Sequence, residues 1–158
     1  MDFTIKQQSV MKNYLLGFGV LFLFMGASPQ QKNTAQQIKW LTVEEVLIKI
    51  EKSPRKIFVD TYTRWCTWCK LMDRTTFKNQ KVVAYVNQNY YAIKLNAEGN
   101  KEINFRGTTL TEKQLASSFN VTGFPTIVLI DEKFESISPM PGYRKSAGFL
   151  RMLKQYNK

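Results

Sequence analysis

The sequence predicts an α/β fold, a mixed central β-sheet flanked by helices on both faces. Three observations predict it. Short β-branched and aromatic runs alternate with segments of helical periodicity, and the last two strand candidates are joined by a turn alone. The chain also has room for one core, because 131 of its 158 residues remain after an N-terminal leader of 27. Hydrophobic residues make up 44% and charged residues 22%, which excludes both a disordered chain and a polytopic membrane protein.

The leader, residues 1–27, carries Lys6 and Lys12, then an apolar run from Tyr14 to Ala27, with small residues at Gly26, Ala27 and Ser28 ahead of a polar stretch. This order matches a secretory signal peptide. The run of about 14 residues is short of the ~20 that span a bilayer, so cleavage is the expectation and an uncleaved anchor the alternative. With the positive charges first, both put the domain outside the cytoplasm. Residues 28–37, rich in Gln, Asn, Ser and Lys, are expected as a flexible spacer, and 38–158 as the folded domain.

Within the domain, Thr42-Val43-Glu44-Glu45 has capping-box spacing, and Val43, Val46, Leu47 and Ile50 recur at helical intervals. A helix over 43–52, ending before Pro54, follows. Ile57–Tyr62 reads as a buried strand, Lys70–Phe77 and Val82–Val86 as helical, and Tyr90–Leu95 as a second strand. The polar stretch Asn96–Thr111 is expected as an inserted loop. Thr111 then caps a helix over Glu112–Phe119. Thr126–Ile130 is the strongest strand signal, with Asp131–Lys133 as its turn and Phe134–Ser138 as its hairpin partner. Phe149, Leu150, Met152, Leu153 and Tyr156 form the apolar face of a closing helix.

The chain contains no histidine, which removes Ser-His-Asp and Cys-His nucleophile systems, His-containing zinc sites and CxxCH haem attachment. Its chemistry rests on two cysteines, Cys66 and Cys69, too few for a Cys₄ zinc site or a disulfide scaffold. Charge is the other outlying feature. Lys and Arg number 23 against 12 Asp and Glu, a net charge of +11. The basic residues are scattered along the sequence with no long run, so a solubilising excess or attraction to acidic partners is the expectation, ahead of nucleic acid or an anionic membrane surface.

Trp65-Cys66-Thr67-Trp68-Cys69-Lys70 sits where a strand gives way to a helix. A cysteine at a helix N-terminus meets unpaired backbone N–H groups and the positive end of the dipole, both of which favour thiolate. Cys66 is thus the candidate nucleophile, and Cys69, one turn on, the candidate resolving thiol. Two alternatives stay open at this point. The pair could be an inert disulfide in an interaction protein, or it could carry a soft metal such as Cu(I), with Met72 three residues past Cys69 as a further ligand.

Several separate positions carry a resemblance to a known family. They are the run Phe58 to Lys70, Asp60 six residues before Cys66, Lys94 in Ile93–Asn96, Val121-Thr122-Gly123-Phe124-Pro125-Thr126, and Gly142 before the last helix. Together, over residues 40–157, they resemble the thioredoxin superfamily, especially exported members such as the C-terminal domain of thiol:disulfide interchange protein DsbD and the SoxW-like thioredoxins. The resemblance implies a thioredoxin-like fold and a periplasmic or otherwise exported thiol:disulfide oxidoreductase, possessing no cofactor beyond its redox-active disulfide and no metal. It implies a buried Asp60 with a raised pKa that exchanges a proton with Cys69 through water, with Lys94 nearby. It implies a cis Pro125 that opens the backbone of Phe124 to an extended substrate, and Trp65, Thr67 and Trp68 as the docking surface.

The partners it implies are protein disulfides and an inner-membrane thiol reductant, with no nucleic acid, membrane contact only through an uncleaved N-terminal segment, and a monomeric state. The dipeptide Thr67-Trp68 replaces the Gly-Pro of the best-known thioredoxin, so the direction of electron flow does not carry over. The pattern from Phe105 to Glu112 resembles the SoxW-like relatives.

Overall fold

A computed structural model describes residues 36–158. The expected leader and all but the last two residues of the expected spacer lie outside the described residues. Those two, Gln36 and Gln37, are exposed yet tethered: their carbonyls accept from the side chains of Gln80 and Asn87.

The continuous apolar run from Ile57 to Val59 belongs to a strand covered on both faces, and β2 (Lys56–Tyr62) is the middle strand of a five-stranded sheet. Around it the order is β1 (Trp40–Leu41), β3 (Tyr90–Asn96), β2, β6 (Thr126–Ile130), β7 (Ile137–Pro141). β1, β3 and β2 run parallel, whereas β6 and β7 are antiparallel additions. β7 lies at an edge, where Pro139 and Pro141 leave no interior ladder bond unmade. The mixed sheet matches the sequence expectation.

Side-chain alternation divides the core into two layers. Ile57, Val59, Ile93, Leu95, Val128 and Ile130 face α1 (Val43–Lys52) and α4 (Glu112–Ser118). Phe58, Ala92, Ile127 and Leu129 face α2 (Thr67–Arg74), α3 (Gln80–Asn89) and α5 (Ser146–Tyr156). On that second layer Phe58 meets Phe149, Trp40 and Phe77 at centroid distances of 5.4, 5.6 and 5.7 Å, tilted or edge-on pairs each contributing about 1 kcal/mol beyond area burial. Met72, considered above as a soft-metal ligand, is fully buried in this layer.

Four expectations are corrected. β1 was unforeseen, because two residues give no periodicity to read. The helix expected over Lys70–Phe77 begins at Thr67 and stops at Arg74, followed by a 3₁₀ turn over Thr76–Lys78, since Cys66 itself is the N-cap. The short helical segment expected at Val82–Val86 extends over all of α3, because the Asn79 side chain accepts from Lys81 and Val82 N–H and starts the helix early.

The fourth correction concerns the two hairpins. The expected 96–111 loop contains β4 (Glu102–Phe105) and β5 (Thr108–Thr111), an antiparallel pair turned at Arg106 and Gly107, both at positive φ. Ile103 is buried and Phe105 packs on Phe119 and Phe134, so this polar-looking stretch has an apolar face that anchors it. The β6 partner is Ile137–Pro141, not Phe134–Ser138. Asp131 accepts from the N–H groups of Lys133 and Glu135 and thereby lengthens the turn, which frees Phe134 to pack on Phe105.

Candidate functional site

Parallel pairing of β2 with β3 sets Asp60 opposite Lys94 and Tyr62 opposite Asn96. Residues at matched register share a face, so both Asp60 and Lys94 point into the α2 layer beside Phe58 and Ala92. Lys94 Nζ donates to Asp60 Oδ2 at 2.8 Å and to Asp73 Oδ1, on α2, at 2.5 Å. The ammonium also lies 4.9 Å from the Trp40 ring centroid and 5.1 Å from that of Tyr62.

Asp60 is 2% exposed, and its Oδ1 has no hydrogen-bond partner among the described residues. Desolvation dominates its ionisation and raises its pKa from 3.8 to about 6; Lys94 pulls the other way and Asp73 adds to the rise. For Lys94, burial disfavours the charge, but the two carboxylates outweigh it and raise its pKa.

The chain leaves β2 at Tyr62, and Cys66 N–H donates to the Thr63 carbonyl. Cys66 then caps α2: its Sγ accepts from Cys69 N–H at 3.0 Å. Cys66 and Cys69 form a disulfide across the first turn, with Cα atoms 5.3 Å apart. At 3% and 4% exposure the two cysteines are equally covered, so their positions on the helix distinguish them, not burial.

The surroundings are not covered. Trp65 is 66% exposed and Trp68 56%, and Thr67 is exposed between Cys66 and Trp68. Trp65 meets Phe124 edge-on at 5.9 Å, and Trp68 meets Tyr143 at 5.1 Å. The Phe124–Pro125 bond is cis. Thr126 pairs with Thr61, so Pro125 and Phe124 emerge from β6 beside the exit of β2. Gly142, at positive φ, donates its N–H to the Pro125 carbonyl at 2.8 Å and fixes this corner.

All nine residues singled out from sequence, Cys66, Cys69, Asp60, Lys94, Trp65, Thr67, Trp68, Phe124 and Pro125, therefore belong to one end of the sheet. Three neighbours were missed. Asp73 lies one helical turn past Cys69 and grips Lys94; the i, i+4 spacing was readable, but nothing in the sequence pointed it at Lys94. Glu98 accepts from Trp65 Nε1 at 2.8 Å and from Arg64 N–H at 3.3 Å. It was concealed by the loop reading, although parallel strands deliver the residues after each of them to the same end. Tyr143 is the third, known only through its ring contact with Trp68.

Chemically, this arrangement places a dithiol/disulfide couple at a helix N-terminus, next to a layer that holds a carboxylate able to take or give a proton near neutral pH.

Comparisons with known proteins agree with the geometry. A family model described as "Thioredoxin-like domain" matches residues 43–157. Thiol:disulfide interchange protein DsbD of Haemophilus influenzae (strain PittEE) is 28% identical over 133 residues, covering 80% of this chain and 21% of that protein. This chain spans about a fifth of the length of such curated relatives. Among solved structures, a protein titled "DsbH Oxidoreductase" superposes with a TM-score of 0.62 at 19% identity, covering 80% of this chain and 89% of that one. The Neisseria meningitidis DsbD C-terminal domain in the oxidised form gives 0.55 at 20% identity, with 75% and 99% coverage. With the fold, the paired cysteines and a match running from α1 to the end of α5, the chain belongs to the thioredoxin-like domain family.

Proposed function

We propose that this protein is an exported thiol:disulfide oxidoreductase that exchanges disulfides of other proteins through Cys66 and Cys69. One observation carries the reading: a disulfide caps the first turn of α2, and through Asp73 on that helix Lys94 ties it to a buried carboxylate whose proton affinity has been moved toward neutrality.

In the reductive direction, the Cys66 thiolate attacks a substrate disulfide; a Cys66–substrate S–S bond forms, the substrate S–S bond breaks, and one substrate thiolate leaves. Cys69 passes its proton by way of water to the Asp60 carboxylate, and its sulfur attacks Cys66 Sγ. The Cys66–Cys69 bond closes, and the second substrate sulfur leaves with a proton. Two electrons have moved to the substrate, and a dithiol donor, here a membrane thiol reductant, returns them. Lys94 holds Asp60 in place and limits the rise of its pKa. Trp65, Thr67, Trp68 and the Phe124–Pro125 segment receive the polypeptide that carries the substrate sulfur. The N-terminal run Tyr14–Ala27 serves export, as a signal peptide or as an anchor.

The test is dithiothreitol-coupled reduction of insulin, paired with the Cys66–Cys69 potential in glutathione buffers. Catalysed reduction with a potential of about −270 mV fits a reductase recharged by a membrane donor, and a value of about −120 mV makes the protein a disulfide donor instead. Absence of any catalysed exchange in either direction overturns the reading.

A further inference from the structure

We propose that the surface formed by α3 and α5 docks on the anionic phospholipid headgroups of a bilayer. This goes beyond the disulfide chemistry, and it rests on the reading of the N-terminal run as a membrane anchor.

Cations that are scattered in sequence are collected by the fold. Helices α3 and α5 lie side by side, and an open groove along them is lined by Lys81, Arg151, Lys154 and Lys158, with Gln80 and Leu150 between. Neither helix carries an acidic side chain; indeed, no Asp or Glu occurs from Arg74 to Lys94 or from Ser136 to Lys158. Lys78 and Lys145 flank the helix starts and add to the same sign. Among the described residues, the ion pairs are those of Lys94 with Asp60 and Asp73, so these groove cations have no acidic partner there. The opposite layer is balanced: α1 carries Glu44, Glu45 and Glu51 with Lys49 and Lys52, and α4 carries Glu112 with Lys113. A surplus concentrated on one face is an electrostatic footprint, whereas a solubilising excess is spread evenly over all faces.

Chain connectivity selects the occupant. Gln80 both lines this groove and donates to the Gln36 carbonyl, and Asn87 on the same helix binds the Gln37 carbonyl and Lys39 N–H. The polypeptide thus joins the domain along α3, at the edge of the basic face. With the leader retained as an anchor, its apolar run ends at Ala27, and residues 28–35 lead to Gln36. Eight residues extend to roughly 30 Å at most. A domain on so short a tether meets the bilayer surface at an effective concentration near the millimolar range, where several unpaired cations facing anionic headgroups suffice for docking.

Lysine footprinting tests this on the full chain. The protein is combined with vesicles of phosphatidylcholine alone or with about one-third phosphatidylglycerol, labelled briefly with an amine-reactive acetyl donor, and analysed by mass spectrometry. The readout compares lysines within one molecule, so it holds whether or not the leader itself inserts. Labelling of Lys81, Lys154 and Lys158 is expected to slow about fivefold or more on the anionic vesicles, to recover in 0.5 M salt, and to leave Lys49, Lys52 and Lys113 unchanged. In R151Q/K154Q the protection of Lys81 should be lost, while K49Q/K52Q retains it. Equal labelling on both vesicle types, or protection spread evenly over all lysines, overturns the proposal. Protection by soluble polyglutamate but not by vesicles also overturns it, in favour of an acidic protein partner.

Discussion

The inner and outer surroundings of the Cys66–Cys69 disulfide are built from opposite materials. On the inner side, Asp60, Lys94 and Asp73 form a charged chain that runs from a buried carboxylate past aromatic rings to a half-exposed one, with sheet register setting Asp60 opposite Lys94. On the outer side, Trp65 and Trp68 stand largely in solvent, each steadied by one ring contact and, for Trp65, by the Glu98 carboxylate. Low-dielectric surroundings make the inner groups sensitive to charge, whereas exposed indoles offer large apolar area for a partner to cover. The contrast assigns proton handling to the inside and recognition to the outside, and substitutions on the two sides should fail differently.

The largest effect is expected from Asp60→Asn. Resolution by Cys69 should slow by about tenfold to a hundredfold near pH 7, and the rise of rate with pH through about 6 should vanish, measured by stopped-flow exchange with a protein disulfide. Stability should move the other way. The folded state binds the Asp60 proton more tightly than the unfolded chain, so this contribution to wild-type stability is full below about pH 4, is lost as pH rises through about 6, and is level above that. A shift of this size corresponds to about 3 kcal/mol as an order of magnitude, and urea denaturation at pH 7 should find the Asn variant more stable, with the difference gone near pH 4.

On the outer side, Trp68→Ala should raise KM for protein disulfides about tenfold while leaving exchange with a small aliphatic disulfide unchanged. An equal loss on both substrates would mean that the indole acts on the cysteines, not on the partner. Asp73→Asn sharpens the inner account: with that negative charge removed, the Asp60-dependent limb of the pH–rate profile should move to lower pH without loss of the limb itself. The smallest effect belongs to Glu98→Ala, which removes the indole partner of Trp65 and should change KM by no more than about fivefold, with increased mobility of Trp65 seen by fluorescence anisotropy.

The same division explains what the sequence disclosed. β2 and β6 carry continuous apolar runs because both faces of the sheet are covered, α1 and the closing helix carry helical periodicity because each buries one face, and all four match their expected positions to within a few residues. The cysteine motif was legible from its place between a strand and a helix, and Asp60, Lys94, Phe124 and Pro125 from their match to the pattern of the thioredoxin superfamily. Hidden from a linear reading were features made by tertiary pairing: the two-residue β1, the β4–β5 hairpin whose anchors Ile103 and Phe105 lie among polar neighbours, and the turn lengthened by Asp131. Asp73 and Glu98 are of the same kind, ordinary exposed acids until the fold carries Lys94 and Trp65 to them. The basic face was likewise invisible in sequence, since Lys81 and Lys154 are neighbours only after α3 meets α5.

The central claim is that Cys66 attacks and Cys69 resolves, and trapping tests it most directly. Reduced Cys69→Ser and Cys66→Ser proteins would each be mixed with a disulfide-bonded protein substrate, quenched with acid and weighed by mass spectrometry. The account predicts that Cys69→Ser accumulates a stable mixed disulfide through Cys66, while Cys66→Ser forms little or none on the same timescale. Preferential trapping through Cys69 would contradict it, since the helix-capping sulfur would then not be the nucleophile.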